Sequence, residues 1–166
     1  MPLSIDEINH FAQGQFIECL GWVFEHSPWV AERAWRRRPF ASCAQLNEAM
    51  DTEVAAAPVE EQLALLRAHP DLGTRAKISP SSADEQAGAG LDRLTGDEYA
   101  RLIELNGAYR VKFGFPFLYA VKGSDKFAIL EALERRLGSP PDREFAEALE
   151  QVYRIARFRL EGIVRE

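Results

Sequence analysis

The sequence predicts an all-α fold. Apolar residues recur at helical spacing along most of the 166 residues, and capping residues, proline and glycine interrupt them at intervals of helix length. No convincing pair of alternating polar and apolar stretches indicates neighbouring strands. An apolar fraction of 46% and a charged fraction of 28% are typical of a globular protein. We therefore expect one multi-helix bundle, a single domain spanning residues 1–166.

Helix-starting signals, either a side-chain cap or a first-turn proline, precede each predicted helix of the first half. These four helices run from Ser4 to Gly21, from Trp29 to Pro39, from Cys43 to Ala56 and from Pro58 to His69. Ser27 and Ser42 are the expected caps of the second and third helices. The fourth helix should end at His69, because a residue that precedes proline is pushed out of the helical conformation.

The second half is predicted to contain further helices around one irregular apolar stretch. A loop over 73–81 leads to a short helix that starts at Ser82. The longer helices are expected from a capping box at Thr95 through Tyr109, from Gly123-Ser124 to Leu137, and from about Asp142 almost to the end. Residues 113–121 are apolar but contain Gly and Pro, which predicts a buried extended segment and not a surface loop.

Charge and composition exclude several classes of function. A net charge of −6 argues against a broad surface for nucleic acid or anionic membranes. No apolar run reaches the roughly 20 residues that cross a bilayer, and residues 1–7 lack the basic and apolar segments of a signal peptide. Cys19 and Cys43 have no metal-ligand spacing and are expected to be reduced core thiols. These features predict a soluble, cytoplasmic protein.

His69 is the first candidate for chemistry. Pro70 fixes the backbone after it, and the carboxylate of Asp71 can orient one of its ring nitrogens. An imidazole held in this way is suited to proton transfer near neutral pH. The alternative is a capping or core histidine. The other two histidines, His10 and His26, have no such neighbours.

The stretch from Ser82 to Gln86 is the second candidate. Its Ser-x-x-Glu spacing is that of a capping box, in which Glu85 would bond the backbone amide of Ser82. In the other interpretation, the amides at this helix start, with Ser82 and Gln86, face a polar substrate. The spacing alone leaves both interpretations open.

Two further groups are candidates for substrate binding. Residues 113–121 are most simply core, but an extended segment beside a pocket also offers unpaired N–H and C=O groups to a ring with amide-like edges. Arg157 and Arg159 either lie in solvent or supply one planar fork of donors to a carboxylate. No His-x-x-x-His, Cys-x-x-Cys or clustered carboxylate pattern predicts a metal site.

Two known families carry the tripeptide His69-Pro70-Asp71 after a helix. In J-domain co-chaperones it contacts an Hsp70 partner, but a strongly basic helix precedes it there, whereas residues 58–68 here contain two glutamates and one arginine. The chain more closely resembles the 2-oxo-4-hydroxy-4-carboxy-5-ureidoimidazoline (OHCU) decarboxylases. The matching motifs occur in the family's order and are His69–Gly73, Ser82–Leu91, Asn106-x-x-Tyr109, Lys112–Phe117 and Arg157–Leu160.

The resemblance implies an all-helical enzyme without a cofactor or metal, commonly a homodimer, that converts OHCU to (S)-allantoin and CO2. Hydrolysis of a hydroxyisourate ring, a nearby step, fits an all-α chain with one useful histidine poorly. By the motifs, His69 corresponds to the catalytic histidine and Glu85 to its carboxylate partner. The pocket arginine falls on Arg159, with Arg157 as the alternative. The implied substrate contacts are Pro70, Ser82, Gln86, Phe117, Leu118, Tyr119, Ala120 and Val121.

Overall fold

The computed structural model describes residues 2–74 and 79–166, and it confirms the all-α class. Its helices are α1 (Ile5–His10), α2 (Gln13–Leu20), α3 (Trp29–Ala34), α4 (Cys43–Ala56), α5 (Val59–Arg67), α6 (Pro80–Gly88), α7 (Gly96–Phe113), α8 (Lys126–Leu137) and α9 (Pro141–Ile163). The two-residue strands β1 (Leu3–Ser4) and β2 (Val164–Arg165) pair in parallel. The sequence does not predict this pair, since two residues cannot show an alternating pattern. None of the described helices is long and apolar enough to cross a membrane.

The chain divides into two compact units. The first combines Met1–Ala68 with Tyr153–Glu166, and the second is His69–Val152. Fully buried side chains of the first unit include Phe16, Leu46, Met50 and Leu65. Those of the second include Leu102, Tyr109, Phe117 and Ile129. The single domain expected over residues 1–166 stays a prediction.

The predicted helix from Ser4 to Gly21 is two helices in the structure. The capping box at Ser4 is present, but Phe11 and Ala12 are extended, with ψ values of 136° and 158°. Tertiary donors explain the break, because the Phe11 carbonyl accepts hydrogen bonds from Trp35 Nε1 at 2.9 Å and Arg38 Nη1 at 3.3 Å. These bonds occupy a carbonyl that a continuous helix would have used internally. Local periodicity could not reveal the two donors, which lie more than twenty residues along the chain.

The next two helices show one correction and one confirmation. Ser27 does not cap α3, because its hydroxyl donates to the carbonyl of Glu25 at 2.8 Å and Pro28 takes the cap position without a side-chain bond. α4 has the predicted bounds, and the Ser42 hydroxyl accepts the N–H of Gln45 at 3.1 Å. α5 then ends at Arg67, two residues before His69.

α6 begins earlier than predicted. Ser79 is its cap, since the Ser79 hydroxyl accepts the N–H of Ser82 at 3.2 Å, and Pro80 lies in the first turn. The predicted loop over 73–81 therefore ends at Ser79, and residues 75–78 of that loop lie outside the described part of the chain. The predicted cap at Ser82 is wrong, because Ser79-Pro80, just upstream, is a stronger start signal.

The remaining helices of the second unit begin close to the predicted residues. Thr95 and Glu98 form the expected reciprocal capping box, with bonds of 2.9 and 3.1 Å between side chains and backbone. Asp125, and not Ser124, caps α8. α7 continues through Phe113, so the irregular apolar segment is shorter than predicted and covers 115–121. Its burial is confirmed, with Phe115, Phe117, Leu118, Ala120 and Val121 at most 6% exposed.

The two cysteines are free thiols, as expected, but neither is a core residue. Cys19 and Cys43 are both partly exposed. Partial burial, aided by the nearby carboxylates of Glu166 and Glu161, raises the pKa of Cys43 above its ordinary value. A raised pKa keeps this thiol protonated and therefore unreactive near neutral pH.

Candidate active site

His69 lies two residues beyond α5 and is 6% exposed. The loop that follows it is anchored to α6 by Gln86, whose Oε1 accepts the N–H of Gly73 at 2.8 Å. Gly73 has a φ of +74°, and a Cβ at this position would lie 2.3 Å from Leu102 Cδ2. Only glycine fits such a left-handed, crowded position. Gln86, expected to contact substrate, therefore has its carbonyl oxygen engaged in holding the His69 loop.

α7 supplies two more anchors to the same loop. Asn106, 3% exposed, donates from Nδ2 to the carbonyl of Leu72 at 3.0 Å. Arg110 donates from Nε to Asp71 Oδ1 at 2.9 Å. Asp71, which the sequence suggested as the group that orients His69, is thus bound to an arginine through one of its oxygens. Three consecutive residues after Pro70 are fixed by side chains from two helices.

Glu85 does not belong to a capping box. Because α6 starts at Pro80, Glu85 lies near the middle of the helix, and the N–H of Ser82 is already bonded to the Ser79 hydroxyl. Ser82, Glu85 and Gln86 are spaced i, i+3 and i+4, which places them on one face of α6. Ser82 and Gln86 are buried and Glu85 is partly buried. Of the two interpretations of Glu85, the capping one is wrong.

The segment 115–121 is held from one side by side chains of α8 and α9. Arg136 Nη1 donates to the carbonyl of Leu118 at 2.5 Å, and Gln151 Oε1 accepts the N–H of Ala120 at 2.9 Å. The two anchored residues are two positions apart, the spacing at which residues of an extended chain face the same side. Within the described part of the chain, the backbone N–H and C=O groups of Phe117 and Tyr119 make no hydrogen bond. Unpaired buried backbone groups are costly in a folded protein, so this edge suits a polar ligand.

A buried ionic cluster stands behind the segment. Arg136 donates from Nε to Glu144 Oε1 at 2.6 Å, and the Tyr109 hydroxyl donates to the same oxygen at 2.5 Å. Burial, followed by the bond to Glu144, raises the pKa of Tyr109 far above its ordinary value, so the phenol stays protonated as a donor. The guanidinium of Arg136 also lies over the Phe117 ring, 4.5 Å from its centroid.

Sequence reasoning missed Arg136 and Glu144, although a signal for them exists. Arg136 continues the buried stripe of α8 at helical spacing from Ile129 and Leu133. Glu144 likewise precedes buried Ala148 by one turn of α9. Two opposite charges, each in the apolar stripe of its own helix, indicate a buried ion pair, since an unpaired buried charge would not be tolerated.

Arg159 and Arg157 have different environments. Arg159 is 7% exposed, and its Nη2 lies 2.9 Å from Glu25 Oε2 while Nη1 donates to the carbonyl of Val23 at 3.3 Å. Glu25 is itself buried. The side chain of Arg157 is 51% exposed, lies 3.7 Å from the carboxylate of Glu161 one turn further along α9, and lies over the Phe158 ring. The solvated interpretation is therefore right for Arg157 and wrong for Arg159.

The site residues divide between the two units. His69, Pro70, Ser82, Glu85, Gln86 and Phe117–Val121 belong to the second, and Arg159 belongs to the first. Among residues 2–74 and 79–166, no group of three His, Cys, Asp or Glu side chains could hold a metal ion. The second unit thus combines a buried imidazole, a carboxylate on an adjoining helix and a segment with unpaired backbone groups.

Comparison with known proteins gives the family. A family model described as OHCU decarboxylase matches residues 9–161. The chain belongs to the OHCU decarboxylase family. This membership accounts for the His-Pro-Asp tripeptide, and the J-domain interpretation is set aside.

Three relatives illustrate the range of this family. The 2-oxo-4-hydroxy-4-carboxy-5-ureidoimidazoline decarboxylase of Haloferax volcanii is 46% identical over 95% of this chain and 94% of its own length. The uric acid degradation bifunctional protein of Bacillus sp. (strain TB-90) is 45% identical over 99% of this chain, which spans 33% of that longer protein. A crystal structure of (S)-allantoin synthase matches this chain with a TM-score of 0.81 and 33% identity. The match covers 98% of this chain and 54% of the synthase chain. Sequences similar to this chain therefore occur both as chains of about this size and as parts of longer proteins.

Proposed function

We propose that this protein is a carboxy-lyase that converts OHCU to (S)-allantoin and CO2 in urate degradation. The observation that carries the proposal is the match to the OHCU decarboxylase family over residues 9–161. The relative that is similar along 94% of its length bears the name of this activity. The His69 loop supports the same conclusion, because its imidazole is buried and the backbone that follows it is anchored at several points, an arrangement suited to proton transfer.

The substrate supplies its own electron sink. OHCU carries its carboxylate on the carbon that bears a hydroxyl, next to a ring C=N bond. When the bond to the carboxylate breaks, its electron pair forms a C=C bond and the C=N electrons move to nitrogen. The ring nitrogen takes up a proton and becomes N–H. The hydroxyl then becomes the ring carbonyl of allantoin by losing its proton, and the ureido-bearing carbon gains one. The sequence of steps needs no external electron acceptor, so the proposal includes no cofactor.

His69 is the proposed acid and base for these proton movements, and Glu85 is its proposed partner. A capping role does not compete with this one, because the cap of α6 is Ser79. It occupies the same helix face as Ser82 and Gln86, and Gln86 is bonded to the His69 loop. A proton delivered to one face of the planar intermediate gives a single enantiomer, which accounts for the S product.

Substrate binding is proposed for Pro70, for the α6 face and for the segment Phe117–Val121. The unpaired backbone groups of Phe117 and Tyr119 suit the ring and ureido groups, which present both donors and acceptors. Arg159 is the proposed ligand of the substrate carboxylate because the family motif falls on it and guanidinium pairs well with carboxylates; in the structure it is buried and already paired with Glu25. We also propose that the protein is a homodimer, as the family resemblance implies. A cytoplasmic location is proposed because free thiols are typical of a reducing compartment.

The direct test supplies freshly generated OHCU and follows the loss of its near-ultraviolet absorbance together with the optical rotation of the product. We expect the wild-type protein to accelerate the reaction and to form (S)-allantoin. His69→Ala should lower kcat by about 10²–10⁴-fold. His10→Ala, in an exposed helix position, is the matched control and should be unchanged. A wild-type rate equal to the spontaneous one would refute the proposed function.

The role of Glu85 has a test of its own. Glu85→Gln keeps the shape and helix position of the side chain but removes its charge, so turnover should fall while the fold is retained. Asp84→Asn makes the same change one residue earlier, on the exposed face of α6, and should leave turnover unchanged. Equal activity of the two variants would exclude Glu85 from the proton-transfer pair.

A further inference from the structure

Two buried charges on helices behind the segment Phe117–Val121 have no part in the proposed proton transfers. Arg136 and Glu144 are 6% and 1% exposed, and they form an ion pair between α8 and α9. A buried ion pair is rarely the most stable arrangement, because apolar residues of similar volume often serve as well or better. Stability alone therefore does not explain why the pair is present.

The geometry of the pair points to the backbone of the segment. Arg136 donates from Nε to Glu144 Oε1 and from Nη1 to the Leu118 carbonyl, and its Nη2 lies close to the same Glu144 oxygen. Its planar fork thus fixes a carbonyl relative to a carboxylate, which a flexible lysine or an apolar side chain cannot do. Glu144 is held in turn by the Tyr109 hydroxyl at 2.5 Å. Gln151 provides the second anchor, at the N–H of Ala120.

We propose that Arg136, fixed by Glu144, and Gln151 are positioning residues that present the backbone groups of Phe117 and Tyr119 to the substrate. In an extended chain, the backbone groups of successive residues face opposite sides, and those of every second residue face the same side. Anchoring Leu118 and Ala120 to α8 and α9 therefore turns the groups of Phe117 and Tyr119 away from those helices. This inference rests on the proposed function, since it assigns these groups to the binding of OHCU.

A double substitution tests the proposal without leaving a charge buried alone. Arg136→Met combined with Glu144→Gln removes the ion pair and the bond to Leu118, while a glutamine can still accept from the Tyr109 hydroxyl. We expect the thermal unfolding temperature to stay close to wild type, because both charges are removed together. KM for OHCU should rise about tenfold or more with a much smaller change in kcat, since these contacts bind substrate in the ground state and transition state alike.

The matched control makes the same exchange at the surface. Arg101 and Glu134 pair between α7 and α8 at 2.9 Å, with side chains about half exposed. Arg101→Met with Glu134→Gln should leave KM and kcat unchanged. Gln151→Met is a second probe that frees the Ala120 N–H without a change of charge, and it should also raise KM. In both site variants, hydrogen exchange of the amides in 117–121 should be faster than in wild type.

The outcomes separate the two proposals. If the cluster were merely structural, its substitution would lower the fraction of active protein. The measured kcat would then fall while KM stayed at the wild-type value, and that result would overturn the positioning role. Unchanged KM and unchanged amide exchange in a folded variant would overturn it as well. If the wild-type protein itself failed to accelerate OHCU consumption, the proposed function would fall first and the positioning role with it.

Discussion

Replacing Gly73 by alanine tests the account of the His69 loop. Holding a residue with a side chain in the left-handed region costs about 1–2 kcal/mol. The new Cβ would lie 2.3 Å from Leu102 Cδ2, and Leu102 is fully buried, so the crowding adds about 1–3 kcal/mol. Alanine also lowers the conformational entropy of the unfolded chain, which offsets about 0.4–1 kcal/mol of this destabilisation. We therefore expect Gly73→Ala to lower the free energy of unfolding by about 1–5 kcal/mol.

Urea unfolding measures this loss, and turnover under native conditions measures the displacement of the loop. Proteins of ordinary stability remain folded after such a loss, so any fall in kcat/KM reports a shifted His69 and not unfolded protein. Gly107→Ala is the matched control, because Gly107 lies inside α7 and a Cβ added there would meet no neighbouring atom within 4 Å. It should stabilise the protein by about 0.5–1 kcal/mol. Equal unfolding midpoints for the two variants would refute the reasoning.

Two further predictions concern charged groups. The pKa of Glu98 is lowered, chiefly by the hydrogen bond from Lys126. The carboxylate therefore stabilises the fold above its ordinary pKa of 4.5, and this contribution disappears as pH falls through the pKa of the folded state. The Tm difference between wild type and Glu98→Gln should accordingly vanish in acid. Arg159→Gln removes the guanidinium that pairs with the buried carboxylate of Glu25 and should cost about 3–5 kcal/mol in urea unfolding, whereas Arg157→Gln at the exposed position should change stability by less than about 0.5 kcal/mol. Equal stabilities of the two arginine variants would contradict the assignment of the buried pair.

The parts of the fold that could be predicted are those determined by nearby residues. α4 has the predicted bounds because its cap, Ser42, and its apolar stripe lie within or next to the helix itself. The break after His10 could not be predicted, because it depends on donors from Trp35 and Arg38. The start of α6 is predicted too late because two serines three residues apart, Ser79 and Ser82, both have the chemistry of a cap.

The candidate site was predictable in its residue types more than in its contacts. The sequence indicated that His69 and the segment 113–121 were unusual, and burial of the imidazole and of 115–121 agrees with that. It could not show that Asp71 would pair with Arg110, since the two are 39 residues apart. Helical periodicity does distinguish Arg159 from Arg157, because Arg159 follows buried Val152 and Ala156 at helical spacing, but its carboxylate partner, Glu25, lies 134 residues away and could not be predicted.

α7 explains why a loop and an irregular segment can together form one site. Asn106 and Arg110 bond the loop after His69, while Tyr109 packs against the Phe117 ring at 5.5 Å between centroids. These three residues span little more than one helical turn, so a rigid element sets the spacing between the loop and the segment. Residues on one short stretch of helix move little relative to one another, whereas residues on separate surface loops would each move independently. The Asn-x-x-Tyr motif is therefore best understood as the support of the site, and substitutions at Asn106 or Tyr109 should alter both of its walls together.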